Sequence, residues 1–133
     1  MTYTARTPQR DQDGSAPRAL MIGLLRNVET CPDIADYMER IDATMAPYGG
    51  RFLVHGGPPT LYEGTARGDL VILEFPDLAR AHEWYESPGY QAILPLRTAH
   101  ADSTVLAVEC VREGYRAAEK AARLFPGRTP RPA

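Results

Sequence analysis

The chain has 133 residues, and its 17 acidic and 15 basic side chains give a net charge of -2. This length predicts one domain with a modest core, and the near balance of charge favours neither a nucleic-acid partner nor an anionic membrane. No apolar run approaches the roughly 18 residues of a membrane span, and the N-terminus lacks the apolar segment of a signal peptide. Cys31 and Cys110 show no metal-ligand spacing, which predicts reduced thiols and a cytoplasmic location.

The first predicted strand follows a polar segment. Residues 1–18 lack apolar periodicity, which predicts a disordered tail. The nearly continuous apolar run 19–28 is typical of a central strand covered on both faces. Arg26 near its end either forms a solvated or ion-paired strand terminus or reaches into a substrate pocket. Thr30 to Asp33 then form a helix-start signal, and helical spacing predicts an apolar stripe facing a sheet, formed by Ile34, Tyr37, Met38, Ile41 and Met45.

The second predicted strand, residues 51–55, lies between the glycine pairs Gly49-Gly50 and Gly56-Gly57. Because side chains alternate along a strand, we expect Arg51, Leu53 and His55 on one face, opposite Phe52 and Val54. His55 therefore stands at a strand end. The Pro- and Gly-rich segment that follows it, residues 58–68, contains Glu63 and predicts either a long loop or a short edge pairing.

A third strand is predicted at residues 69–75, and a helix at 78–86. Ser87-Pro88-Gly89 interrupts this helix, and it resumes over 90–97 with a distortion at Pro95. We expect the bend to gather side chains with polar groups near one sheet face, namely Trp84, Tyr85, Tyr90 and Arg97. The fourth strand is predicted at 103–111, which completes a domain over 19–112; the extension 113–133 is predicted to be helical and then frayed.

The order of these elements is strand, helix, strand, strand, helix, strand. It predicts an α+β, ferredoxin-like βαββαβ fold, in which helices cover one face of a four-stranded antiparallel sheet. The other face is left bare. We therefore expect a homodimer in which this open sheet face packs against a second copy.

Several short motifs are similar to those of a known family: Tyr48 to Gly57, Glu63-Gly64, Glu74-Phe75-Pro76, Trp84-Tyr85-x-Ser87-Pro88-x-Tyr90-Gln91 and Leu96-Arg97. Over roughly residues 20 to 111 the chain resembles domain of unknown function family 1330, of the dimeric α+β barrel superfamily. The resemblance implies a two-chain barrel with a cleft between sheet and helices in each subunit. The superfamily includes cofactor-free monooxygenases, lactone isomerases, polyketide cyclases and haem proteins, and the fold does not select among them.

The candidate acid/base residue is His55, because an unperturbed imidazole titrates near neutral pH; the alternative is a strand-end histidine that hydrogen-bonds the loop. Arg97 is a candidate anchor for a carboxylate or enolate, or else a salt-bridge partner of Glu63, Glu74 or Glu109. Glu63 is a second candidate base, or it organises its loop. Tyr85 and Tyr90 are candidate oxyanion donors and Trp84 a candidate wall, although all three also suit plain packing.

The remaining titratable residues give no metal or nucleotide motif. His82 and His100 are predicted to be solvated, and we expect no metal and no cofactor. The sequence thus favours a small cofactor-independent enzyme of small-molecule metabolism, secondary metabolism included, with proton-transfer isomerase, cyclase or oxygenase chemistry on an aromatic or polyketide-like substrate. The alternatives are a non-catalytic dimer that binds a metabolite or supports an assembly, and a haem protein.

Overall fold

The computed structural model describes residues 16–65 and 68–132. Within this part of the chain the elements are β1 (Ala19–Arg26), α1 (Pro32–Met45), a 3-10 turn (Ala46–Tyr48), β2 (Arg51–His55), β3 (Asp69–Phe75), α2 (Leu78–Glu86), α3 (Pro88–Thr98), β4 (Asp102–Glu109) and α4 (Ala117–Leu124).

The four strands form one antiparallel sheet in the order β2-β3-β1-β4. The predicted ferredoxin-like α+β fold is therefore confirmed. The core lies between one sheet face and the helices, where Phe75 of β3 packs with Met45 of α1, Trp84 of α2 and Tyr90 of α3. Alternate residues of β1, such as Ala19 and Met21, point into this core.

The opposite face of the sheet carries no helix, and apolar side chains from all four strands lie on it. Val54, Leu106 and Val108 are each 37–40% exposed, and they are accompanied by half-buried residues of the central strands such as Ile22 and Ile72. This surface is the open face of the sheet. At one end of it, Glu74 accepts hydrogen bonds from Arg18 and Arg51.

The break between α2 and α3 is made by a single residue. Ser87 has extended backbone angles because Pro88 follows it, so α2 ends there. Its hydroxyl donates to the carbonyl of Trp84 at 2.7 Å and accepts from the backbone N–H of Tyr90 at 3.2 Å. One side chain thus closes one helix and caps the next. Helix α3 is continuous through Pro95, so this residue does not divide it.

Strand β2 departs from the predicted alternation of side chains. Phe52 pairs with Leu73 and Val54 with Ile72, so Leu53 is an extra residue, which forms a β-bulge. Beyond it His55 pairs with Val71. The expectation that His55 faces away from Phe52 is therefore wrong: both lie on the helix-bearing face, and their rings are 4.5 Å apart.

The two ends of the described chain are held by different hydrogen bonds. Pro17 is buried and the carbonyl of Arg18 accepts from the N–H of Cys110 at 2.7 Å, so these last residues of the predicted tail are packed, whereas residues 1–15 lie outside the described part. At the other end α4 is capped by Glu119, which accepts from the backbone of Arg116. No described helix combines the length and apolar character needed to cross a bilayer.

Candidate functional site

A predominantly apolar cavity lies between the sheet and helices α1 to α3. Its volume is about 70 Å³, or about 700 Å³ when the open solvent at its mouth is included. The cavity itself is smaller than a typical ligand pocket, so a ligand of ordinary size would extend into the open mouth. The floor is formed by strand residues, among them Met21, Gly23, Val71, Leu73 and Val105.

The polar end of this cavity is organised by Arg97, which is only 5% exposed. Its Nη1 donates to the hydroxyl of Ser103 at 2.6 Å, its Nε to that of Tyr37 at 3.3 Å, and its Nη2 to that of Tyr90 at 3.4 Å. The guanidinium carbon also lies 5.7 Å from the centre of the Tyr37 ring, within range of a cation–π contact. Helices α1 and α3 and strand β4 each supply one of the three hydroxyl partners.

Arg97 makes no ion pair with a described carboxylate. Glu74, one of its three predicted alternative partners, is held instead by Arg18 and Arg51. Burial lowers the pKa of Arg97, but the phenols of Tyr90 and Tyr37 raise it by more, so the guanidinium remains charged. A buried cation whose described partners are neutral hydroxyls lacks a compensating charge, which is unfavourable in apolar surroundings.

The polar groups at this end can still donate hydrogen bonds to a further partner. A guanidinium carries five N–H groups, and the three bonds to hydroxyls leave one on Nη1 and one on Nη2. The oxygens of Tyr37 and Tyr90 are 2.6 Å apart and share one hydrogen, so the other phenol keeps its own. Burial, followed by the nearby Tyr90, raises the pKa of Tyr37 well above its usual range, which keeps this phenol protonated at neutral pH.

His55 lines the opposite end of the same cavity, at its exposed mouth. A row of paired residues crosses the sheet from it through Val71 and Gly23 to Val105. Because β2 and β4 are three inter-strand spacings apart, their backbones are about 14 Å from each other. Arg97 and His55 therefore line one cavity from opposite edges of the sheet.

The other predicted site residues divide into two groups. Trp84, Tyr85 and Tyr90 line the cavity, as the helix break predicts. The indole N–H of Trp84 donates to Thr44 at 3.0 Å, so Trp84 offers a ligand its ring rather than a donor. Arg26 instead donates to Thr104, and Glu63 is exposed in its loop; neither belongs to the described lining.

Sequence reasoning missed other residues near the cavity. The helical spacing of Tyr37 indicates only a packing residue of α1, and nothing in that apolar stripe indicates that its hydroxyl contacts Arg97. Ser103 gives no signal apart from its position at a strand start. His100, predicted to be solvated, lies 3.0 Å from Asp33 and 3.5 Å from Glu29, so the prediction of a solvated side chain is wrong. Among the described residues, no three His, Cys, Asp or Glu side chains are grouped as a metal site.

Comparison with known proteins identifies a family and a fold. The family described as "Domain of unknown function (DUF1330)" matches residues 18–111. No curated protein matches the chain. A solved structure of a protein of unknown function from Rhodopseudomonas palustris, RPA0582, is 21% identical, with a TM-score of 0.55 over 71% of this chain and 83% of that one.

Two further solved structures share the fold at lower identity. SnoaB, a cofactor-independent oxygenase from Streptomyces nogalater, is 15% identical, with a TM-score of 0.51 over 76% of this chain and 100% of that one. A dimeric ferredoxin-like protein of unknown function from Thermobifida fusca is 14% identical, with a TM-score of 0.50 over 82% of this chain and 100% of that one. At these identities the likeness concerns the fold alone.

Proposed function

From the premise that this chain belongs to the DUF1330 family, we propose that it is a cofactor-independent enzyme of small-molecule metabolism. Its substrate is an elongated, largely apolar, ring-containing molecule with an anionic oxygen group at one end. Arg97 holds the anion, and His55 transfers a proton near the other end. Tyr90 and Tyr37 assist Arg97 with their hydroxyl groups, while Trp84 and Tyr85 pack against the apolar body.

The observation that carries this proposal is the buried guanidinium of Arg97. It faces a predominantly apolar cavity, it is bonded to three neutral hydroxyls, and no described carboxylate forms an ion pair with it. Burying a charge in apolar surroundings is unfavourable unless a counter-ion compensates it. An anionic ligand supplies the missing charge, and the two remaining N–H groups can bind two of its oxygens.

The chemistry proposed for His55 begins with a carbon acid. The imidazole takes a proton from a carbon next to a carbonyl group, and an enolate forms. If the proton returns to another carbon the product is an isomer, and if the enolate attacks a second carbonyl within the molecule a ring closes. If the enolate reacts with dioxygen, which accepts its electrons, the substrate is oxygenated. All three outcomes share the first step, and the fold likeness to SnoaB is compatible with the third.

A second candidate function, non-catalytic binding of a metabolite, is favoured by the position of His55. Its ring packs on Phe52 at the exposed mouth, while Arg97 lies at the closed end over the opposite edge strand. A ligand too short to span the sheet would bind to Arg97 without meeting a base. The two candidates therefore differ in whether proton exchange accompanies binding.

We also propose a homodimer formed through the open face. The support is the set of apolar side chains on this face, exposed on β2 and β4 and half-buried on β1 and β3. Soluble monomers rarely leave such a contiguous apolar surface in water. The cavity opens from the helix-bearing face, so pairing of the open faces leaves the site accessible to its small-molecule substrate.

Proton exchange from two keto acids of different length tests the enzymatic proposal. In D2O, ¹H NMR measures loss of the acetyl methyl signal of 4-acetylbenzoate and of 4′-acetylbiphenyl-4-carboxylate. We expect the full-length protein to accelerate exchange, and more so for the two-ring acid, because only it reaches from Arg97 to His55. His55→Gln should lower the rate about 100-fold or more, and Arg97→Lys should raise KM.

The control is His100→Gln, which removes an imidazole that does not line the cavity and should leave the exchange rate unchanged. Binding of both acids with exchange no faster than in buffer would contradict the enzymatic proposal and support the binding function. Binding that is insensitive to Arg97→Lys and Arg97→Met would contradict the assignment of Arg97 as the anion anchor.

A further inference from the structure

Gly23 occupies the middle of the cavity floor. It lies on the central strand β1, between Val71 of β3 and Val105 of β4, and all three residues line the cavity. The row they form continues to His55 on β2. Because Gly23 has no side chain, the floor is lowest at this point, between two β-branched neighbours.

The fold does not require a glycine here. The backbone of Gly23 is not in the left-handed region, and an added Cβ would meet only the Cβ of Val71, at an ordinary contact distance of 3.8 Å. In the middle of a strand, glycine is less stable than alanine because its backbone loses more entropy on folding. A glycine that lowers stability without relieving strain is typical of a position that something else approaches closely.

We infer that Gly23 is the residue that determines which ligands the cavity accepts, since a flat ring crosses the sheet directly above it. This inference rests on the proposed function and adds the shape of the substrate to it. Gly23 pairs with Val105 of β4, and Ser103, whose hydroxyl contacts Arg97, is its diagonal neighbour on that strand, about 7–8 Å away. The ring nearest the anionic group therefore lies above Gly23.

The shape of the ligand follows from the volumes and distances. The cavity volume of about 70 Å³ is roughly half the 150 Å³ that binds benzene in an engineered apolar cavity. The cavity thus admits the anionic group and part of one ring, and the rest of the molecule extends across the open mouth toward His55. The substrate class is a planar aromatic anion of about two fused or linked rings.

Binding of biphenyl-4-carboxylate to the full-length protein tests the inference by isothermal titration calorimetry. We expect Gly23→Ala to weaken binding about tenfold and Gly23→Val about a hundredfold or more, because each added carbon occupies the space of the ring. Both variants should unfold at higher denaturant concentration than the wild type. The matched control is Gly89→Ala in α3, where an added Cβ has room and the cavity is not touched; it should raise stability and leave binding unchanged.

Wild-type affinity within twofold in Gly23→Val would overturn the inference. So would a large loss of stability in Gly23→Ala, since it would show that the glycine is needed for packing. Absence of binding by the wild type at millimolar biphenyl-4-carboxylate would overturn the assigned ligand class. The proposed function is tested separately by acetyl exchange and by the Arg97 variants, so each proposal can fail while the other stands.

Discussion

Arg97 and its three hydroxyl partners hold the charge of the site in place. Each partner comes from a different element, and Arg97 is fixed between α1, α3 and β4 before any ligand arrives. Such preorganisation lowers the entropy lost on binding. The sequence identifies Arg97 and Tyr90 as candidates because the helix break places them together, but it cannot identify Tyr37, whose spacing is that of an ordinary core residue.

Replacing Tyr37 by Phe should destabilise the protein by about 1–3 kcal/mol, because a buried guanidinium loses a hydrogen-bond acceptor while the ring is retained. Urea unfolding measures the difference. Tyr62→Phe is the matched control: Tyr62 is 92% exposed, so a change below about 0.5 kcal/mol is expected. An equally small effect of Tyr37→Phe would show that its bond to Arg97 contributes little to the fold.

At the scale of elements, the sequence predicts helices and strands well where a residue type fixes the backbone. Pro88 forces the residue before it out of helical geometry, so the sequence predicts both the break between α2 and α3 and the aromatic cluster beside it. The bulge at Leu53 cannot be predicted in this way, because Arg51 to His55 contains neither glycine nor proline and its three consecutive apolar residues do not mark an extra one. The register of β2 depends on its pairing with β3 across a long connection. The predicted face of His55 is therefore wrong.

His100 lies in the connection between α3 and β4. Its ring contacts Asp33 in the first turn of α1 and Glu29 in the connection between β1 and α1. A hydrogen bond to Asp33, together with the nearby Glu29, raises the pKa of His100 above its usual value, although partial desolvation opposes this. A raised folded pKa contributes stability that is fully present below the unfolded pKa of about 6.5 and is lost as the pH rises through the folded pKa. Comparison of wild type and His100→Asn should thus show a stability difference at pH 5.5 that fades at higher pH.

Denaturant unfolding at a series of pH values measures this difference, and an NMR titration of the His100 ring measures its pKa directly. Added salt should reduce the difference, because Glu29 and Asp33 are more than half exposed. A stability difference that stays constant or grows with pH would contradict the assignment.

At the scale of the whole molecule, the order of elements determines the topology. The topology in turn separates the helix-bearing face of the sheet from the open face. The sheet has helices and a cavity on one face and an exposed apolar surface on the other. The sequence predicts this separation because strand and helix order leave few arrangements open. The cavity volume and the span between Arg97 and His55 could not be predicted, since both depend on how closely the helices approach the sheet.

Sedimentation velocity of the wild type and of Leu106→Glu tests the proposed dimer. Leu106 lies on the open face, opposite Ile22 of the central strand, and a buried carboxylate there should abolish association. Leu124→Glu is the matched control, because Leu124 is 58% exposed on α4 and should leave the dimer intact. A monomeric wild type at tens of micromolar protein, or a dimeric Leu106→Glu, would contradict the proposal.

The extra residue in β2 has a further consequence, because β2 is an edge strand of the sheet. An edge with regular spacing offers its unpaired backbone groups to any other extended chain, which is a route to aggregation. A bulge interrupts that spacing, so an incoming strand cannot form a continuous ladder with it. The same bulge that places both Phe52 and His55 on the cavity face therefore also interrupts this edge. Deleting Leu53 would restore a regular edge and leave His55 on the cavity face, because side chains would then alternate from Phe52 through Val54 to His55.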